Sequence, residues 1–424
     1  MLRVQPRRPA SLIAAALVAA VAGCTSTVPG SPVTATNAPG SSDGVDVAQL
    51  DPGNYPTKPQ APLGNAGDDR KGAWIEARRM ANNVVGPWEV DPALISAEQA
   101  IGVVGVVKDG NALSIILGDG EPIGAAATAH NFVVGFSSSR NAYTGPAKAE
   151  NQQKSLTNLV LRFPSPEDAA AAATEMTAAS ATVQGFATTE PKPTRPMPIP
   201  RNAATSAVTF DSLGGADVLA YTAHGTYVLC QQAYSKDGPD AAAELIATTL
   251  DKQGPLIDQF QPTPVDQLAN LPIDPDGLLI RTLPPEAQEM TVNNGVYQPH
   301  AELHFHADPP RSHTLFDATH LQLATQGKAS VYQTPDAASA QKIVDGFAAE
   351  AAEEGLGGGG KYVPAAGIKG MPGAKCLMSE DRTSGRTFFY CLAVAGRYAI
   401  EASAVQQLAA HQLVSAQYLM LTSK

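Results

Sequence analysis

The sequence predicts an α+β protein made of two diverged repeats of a β-α-β-β-α unit, with antiparallel sheets packed against helices. Three observations lead there. The chain has 424 residues, room for two or three domains. Its 37 Gly and 34 Pro are too many for a helical bundle and follow no collagen period. The order of apolar runs also repeats once, over a distance too long for a solenoid.

The first copy reads as strand 156–163, helix 166–179, strand 206–210, hairpin 218–233 and helix 239–260. The second reads as strand 329–333, helix 335–351, strand 375–378, hairpin 387–402 and helix 404–421. Pro166 and Pro335, 169 residues apart, each open a helix, where a missing N–H costs nothing. Gly225 and Gly396, 171 apart, turn the hairpins, where positive φ is needed. Ahead of the first copy, 72–85 has helical apolar spacing, and 101–107 with 113–117 reads as a hairpin around Lys108-Asp109-Gly110-Asn111. The Pro- and Asp-rich stretch 261–285 separates the copies, and 353–360 reads as a loop. The domains expected are 45–263, with an N-terminal extension, and 264–424.

The N-terminus reads as an address. Arg3, Arg7 and Arg8 precede an Ala-rich apolar run, 11–22, too short to span a bilayer. This is the layout of a secretory signal, 1–23. It ends in Val21-Ala22-Gly23-Cys24, which resembles the bacterial lipobox. That resemblance implies cleavage before Cys24 and lipidation of its thiol. Residues 24–44 then read as a flexible tether. The protein is expected outside the cytoplasm, anchored to the outer face of the membrane by lipid alone.

The formal net charge is −11, which argues against nucleic acid and against a polybasic membrane patch. Three cysteines remain beyond Cys24. Cys376 and Cys391 lie in neighbouring strand-like runs, and a disulfide fits a non-hydrogen-bonded antiparallel pair. Cys230 sits in an apolar run and reads as a buried thiol.

His304-Phe305-His306-Ala307-Asp308 is the most suggestive chemistry. In a strand, His304 and His306 share a face and could ligate one metal, with Asp308 nearby. Five of the eight histidines fall within 300–320. The spacing resembles the opening motif of metallo-β-lactamase-type hydrolases, but Pro309 stands where that motif has a further His. Gly355 to Lys361 imitates a phosphate loop, but Tyr362 replaces the Ser or Thr that would hold magnesium. Ser137-Ser138-Ser139-Arg140 reads as a loop segment with turn chemistry.

Several segments resemble a family of actinobacterial, mycobacterial-type envelope lipoproteins built on a domain of unknown function. They are the run from Val45 to Pro56 (VDVAQLDPGNYP), Glu76-Ala77-Arg78-Arg79-Met80-Ala81, Gly86-Pro87-Trp88-Glu89-Val90-Asp91-Pro92 and Asp274-Pro275-Asp276-Gly277-Leu278-Leu279. The resemblance covers the whole mature chain. It implies an envelope location and carries over no catalytic residue and no cofactor. The expected function is a non-catalytic module that binds an envelope protein or a small ligand. The alternatives are a metal-dependent hydrolase using His304, His306 and Asp308, and a solute-binding component of a transporter.

Overall fold

Two antiparallel seven-stranded sheets organise the chain, seen in a computed structural model that describes residues 44–97, 103–118, 122–183, 191–353, 355, 360–380 and 385–423. The expected signal peptide, Cys24 and the tether to residue 43 lie outside the described residues. So do 356–359 of the imitation phosphate loop and 381–384 of the turn between the disulfide strands.

The first half begins with helices α1 (Asp69–Met80) and α2 (Pro87–Val90). Strand β1 (Gly105–Val107) and helices α3 (Gly110–Leu117) and α4 (Pro122–Ala129) follow. Next come β2 (Val134–Tyr143), β3 (Gln152–Arg162) and helix α5 (Pro166–Ala179). The short strands β4 (Thr182–Val183), β5 (Lys192–Pro193) and β6 (Arg195–Pro196) precede β7 (Ser206–Ser212), β8 (Gly215–His224), β9 (Tyr227–Ser235) and α6 (Pro239–Ile257). The second half runs β10 (Gly295–Tyr297), α7 (Pro299–Leu303), α8 (Pro309–Thr319), β11 (Leu323–Gln326), β12 (Ser330–Gln333) and α9 (Ala337–Glu353). It ends with β13 (Val363–Pro364), β14 (Lys375–Glu380), β15 (Thr387–Ala395), β16 (Tyr398–Ala404) and α10 (Gln407–Thr422).

The sheet orders are β1-β2-β3-β9-β8-β7-β6 and β10-β11-β12-β16-β15-β14-β13. Strand for strand, the second order is the counterpart of the first, so both predicted copies are present. The repeat is also longer than the sequence suggested: each copy starts with an edge strand and two short helices. The registers agree. Cys230 faces Tyr221 on one side and Leu159 on the other. Glu401 faces Leu392 and Ser330, each 171 residues further on. Helices cover both faces of each sheet. The first has α3, α4 and α5 on one face and α1 and α6 on the other. The second has α9 on one and α10 on the other.

Local chemistry explains the elements. Ser165 caps α5 by accepting from Asp168 N at 3.0 Å, with Pro166 at the first helical position. In the second copy the cap is Asp336, which accepts from Ser339 N at 2.8 Å. Pro335 therefore lies one residue before the cap, and from Ser165 to Asp336 the offset is 171, as it is between the hairpin glycines.

Four expectations change. The segment 113–117 is helix, not strand. Asp109 caps α3 through Ala112 N at 2.8 Å, and Leu113, Ile116 and Leu117 are buried while Ile115 is exposed. That is i, i+3, i+4 spacing, and Asp-Gly serves a helix start as readily as a hairpin. A Cβ on Gly110 would stand 2.3 Å from Gly124 O, and one on Gly124 would stand 1.9 Å from Gly110 O, so the two glycines let α3 and α4 meet backbone to backbone. Secondly, His304–Asp308 is not a strand. Pro299 and Pro309 each start a helix, and Asp308 caps α8 through Arg311 N at 3.0 Å. Thirdly, Ser137–Arg140 lies within the buried strand β2, not in a loop.

The fourth change concerns the N-terminal extension. Residues 45–60, placed above with the first domain, pack on the second. Asp46 N donates to Gly370 O at 2.8 Å, Gln412 Nε2 to Asp51 Oδ2 at 2.9 Å and Gln60 N to Ile280 O at 2.9 Å. Val45, Leu50 and Tyr55 join the apolar cluster under α10, beside Ile368 and Met371 of the second copy. The segment 261–285 bridges the cores, with Leu268 buried in the first and Leu278 and Leu283 in the second.

Candidate functional site

The predicted His cluster proves to be a junction between the halves. His304 is buried, its Nδ1 2.8 Å from Ser138 Oγ on β2 and its Nε2 3.2 Å from Ala81 O. Its ring lies against Trp88 and Phe136. Burial drives its pKa well below the ordinary value, so it is neutral. His300 bridges Asn82 O at 3.0 Å and Glu89 Oε1 at 2.9 Å. His306 turns the other way, its Nδ1 2.9 Å from Ser312 Oγ and its Nε2 3.6 Å from Glu302 Oε1. Asp308 is occupied by its helix cap. The two histidines and Asp308 therefore serve different partners. Among the described residues, the one trio of His, Cys, Asp or Glu ligand atoms lying within 4.8 Å of one another is Cys376, Cys391 and His411. Both of those sulfurs are in the disulfide.

Arg140 closes the junction. This buried side chain donates to Ser139 O at 2.8 Å, His304 O at 2.7 Å and His306 O at 2.9 Å. Its guanidinium carbon lies 5.4 Å from the Trp88 ring centroid, a cation–π contact. Burial lowers its pKa to about 10, which still leaves it charged at neutral pH. A strand of the first half thus fixes the backbone turn 304–306 of the second.

That turn forms one wall of a cavity of about 360 Å³. Glu302 lines it from α7, Phe305 and His306 from the turn, Gln326 from β11, Ser330 and Tyr332 from β12. Phe347 and Glu350 come from α9, Tyr390 from β15 and Glu401 from β16. Glu302 is fully buried. Its Oε1 accepts from Gln326 Nε2 at 2.5 Å, and its Oε2 has no hydrogen-bond partner. Burial raises the Glu302 pKa, and the hydrogen bond and charge of His306 oppose that. Burial opposes the charge on His306, yet Glu302, Glu401 and Glu350 together raise its pKa. Both groups hold their protons longer than in water. Tyr332 donates to Glu401 Oε2 at 2.6 Å. Burial and Glu401 drive the pKa of both Tyr332 and Tyr390 well upward, which keeps the phenols protonated. Among the described residues, no Lys or Arg lines this cavity.

The equivalent place in the first half is a buried apolar cluster. Ser330, Tyr332, Phe347, Tyr390 and Glu401 correspond, 171 residues back, to Leu159, Leu161, Met176, Leu219 and Cys230. All five of those belong to one apolar cluster. Ala179, partly buried against it, corresponds to Glu350. Sequence reading found the duplication but missed this site, because neither copy carries a motif. The available signal was the comparison of copies: aligned on Gly225 and Gly396, Glu401 falls opposite Cys230.

Cys376 and Cys391 form a disulfide with Cα atoms 4.2 Å apart, directly opposite on β14 and β15. Cys230 is fully buried. Among the described residues no helix is long and apolar enough to cross a membrane. A second buried charge cluster serves structure. Glu76 on α1 accepts from Arg162 Nη1 at 2.7 Å and Thr263 N at 2.7 Å, tying β3 to the segment after α6.

Comparison with known proteins gives a family and little more. No curated protein matches. The extracellular domain of PknH from Mycobacterium tuberculosis shares 15% identity over 31% of this chain and 69% of its own, with a TM-score of 0.25, a likeness too slight to bear on fold or function. Residues 63–273 match the profile described as "Domain of unknown function (DUF7373) N-terminal", and residues 278–424 match its C-terminal companion. With both profiles matched over most of its length, in the order of the two sheets, the chain belongs to the DUF7373 family.

Proposed function

We propose that this is an exported protein, anchored to the outer face of the cytoplasmic membrane through lipid on Cys24, and that it binds a small ligand in the cavity of its second half without transforming it. The signal-like N-terminus and lipobox support the anchor. One observation carries the binding reading. Where the first copy packs Leu, Met and Cys, the second places carboxylates, phenols and open volume at the same positions. Burying carboxylates and leaving space both cost stability. Their concentration in one concave, partly apolar site is the pattern of a binding pocket. The His304, His306 and Asp308 cluster serves this reading as support for the pocket wall.

Two experiments test it. Cells fed an alkyne-tagged fatty acid should label the wild-type chain, and Cys24→Ala should lose both the label and membrane retention. An unlabelled wild type would remove the anchor. Native mass spectrometry of the chain from an exporting host should show a bound small molecule, and Ser330→Leu, which restores the first copy's residue, should displace it. A bare wild-type mass, unchanged after incubation with envelope extracts, would remove the binding reading.

A further inference from the structure

Resting on that binding reading, we propose that the cavity selects a small primary-amine cation. Charge comes first. Among the described residues, Glu302, Glu350 and Glu401 face one space with His306 as its single basic group, so carboxyl groups outnumber basic groups three to one and each that ionises adds negative charge. Low local dielectric magnifies the effect of that charge. Phe305, Tyr332, Phe347 and Tyr390 line the same space, and aromatic side chains attract cations over their faces.

Hydrogen bonding narrows the class. Glu302 is fully buried in the cavity wall, and its Oε2 accepts nothing. A buried acceptor in that state gains from a donor. A primary ammonium brings three N–H groups; a quaternary ammonium brings none. Geometry disfavours a metal ion. Among the described residues, no three carboxylate or imidazole ligand atoms from this cavity lie within 4.8 Å of one another, whereas a cation such as calcium gathers ligands at about 2.4 Å. The volume of about 360 Å³ sits at the small end of ligand pockets.

The test is calorimetric titration of the full chain, purified from an exporting host, with putrescine. The comparison probes are 1,4-butanediol, tetramethylammonium, succinate and calcium chloride. Putrescine should bind at one site, at least tenfold tighter than any comparison probe. Glu302→Gln and Glu401→Gln should each weaken it tenfold or more. The probe series on the wild type needs no variant, so a misfolded mutant does not blunt it. Butanediol or calcium binding as tightly as putrescine would overturn the proposal, as would putrescine affinity unchanged in both Gln variants. A native ligand displaced by Ser330→Leu, together with no putrescine binding, would overturn the amine class and leave the binding reading standing. No native ligand and no probe binding would overturn both.

Discussion

Cys230 in the first half and Glu401 in the second occupy the same strand position of the same sheet topology, each opposite the counterpart of the other's neighbours. Around Cys230, Leu159, Leu161, Met176 and Leu219 form a buried apolar cluster. Around Glu401, Ser330, Tyr332, Phe347 and Tyr390 leave it open and polar. The backbone is therefore indifferent to whether this layer is core or pocket. A handful of side chains between sheet and helix decide it, and the first half shows what a filled version looks like.

The comparison can be broken most severely by moving the charge. Cys230→Glu would bury a carboxylate in an apolar cluster, opposite Tyr221, whose hydroxyl is already bonded to Ser180, at a cost of about 4 kcal/mol or more. Urea unfolding followed by tryptophan fluorescence measures this, and a loss below about 1 kcal/mol would mean the two sites are not distinguished by polarity. Next, Leu161→Ala should cost about 3 kcal/mol by opening a cavity. The change at its counterpart, Tyr332→Phe, should cost only about 1 kcal/mol, the hydrogen bond to Glu401. Equal losses would deny that one side is packed and the other hollow.

The disulfide lies only in the second half. Replacing Cys376 and Cys391 by Ser should cost about 3 kcal/mol for a loop of this length, read as a shift in the same unfolding midpoint under non-reducing conditions. Removing the helix cap of the first copy, Ser165→Ala, should cost about 1 kcal/mol.

The smallest effect belongs to the junction. Burial opposes the charge on His300, but the hydrogen bond and charge of Glu89 raise its pKa above 6.5. Burial raises Glu89, but His300 and Lys252 bring it below 4.5. The His300 contribution is complete below pH 6.5 and fades as pH rises through its raised folded value. The Glu89 contribution is complete above pH 4.5 and fades as pH falls through its lowered folded value. The pair is therefore strongest between pH 4.5 and 6.5. A pH series of unfolding midpoints should show a rise of under about 1 kcal/mol in that window, flattened in His300→Gln. A profile identical in the two proteins would remove the pair from the junction's energetics.

Much of the fold was legible. Strand alternation, a Pro at the start of α5, and Gly225 and Gly396 at hairpin tips marked both copies, because each signal acts within a few residues. The Cys376–Cys391 pairing was legible for the same reason, since it crosses one hairpin. The errors share a cause too. At Asp109-Gly110 one dipeptide suits two structures, and only packing of Leu113 and Leu117 selects the helix. At 304–308 the alternation suggested a strand, but Pro299 and Pro309 impose helix starts on either side. The pocket was illegible as a motif, because Glu302, Glu350 and Glu401 are spread over 100 residues and are joined only by the sheet and α9.

The sequence by itself determined the class, the duplication, the hairpins at Gly225 and Gly396 and the disulfide, along with the expectation of export and a lipid anchor. These depend on local propensity, on spacing and on one repeated pattern. Tertiary structure alone decided that residues 45–60 serve the second half, and that Arg140 of the first half holds the turn 304–306 of the second. It alone decided that one of two equivalent layers is hollow and acidic. Those outcomes depend on which distant side chains share a space, a quantity that separation along the chain does not encode.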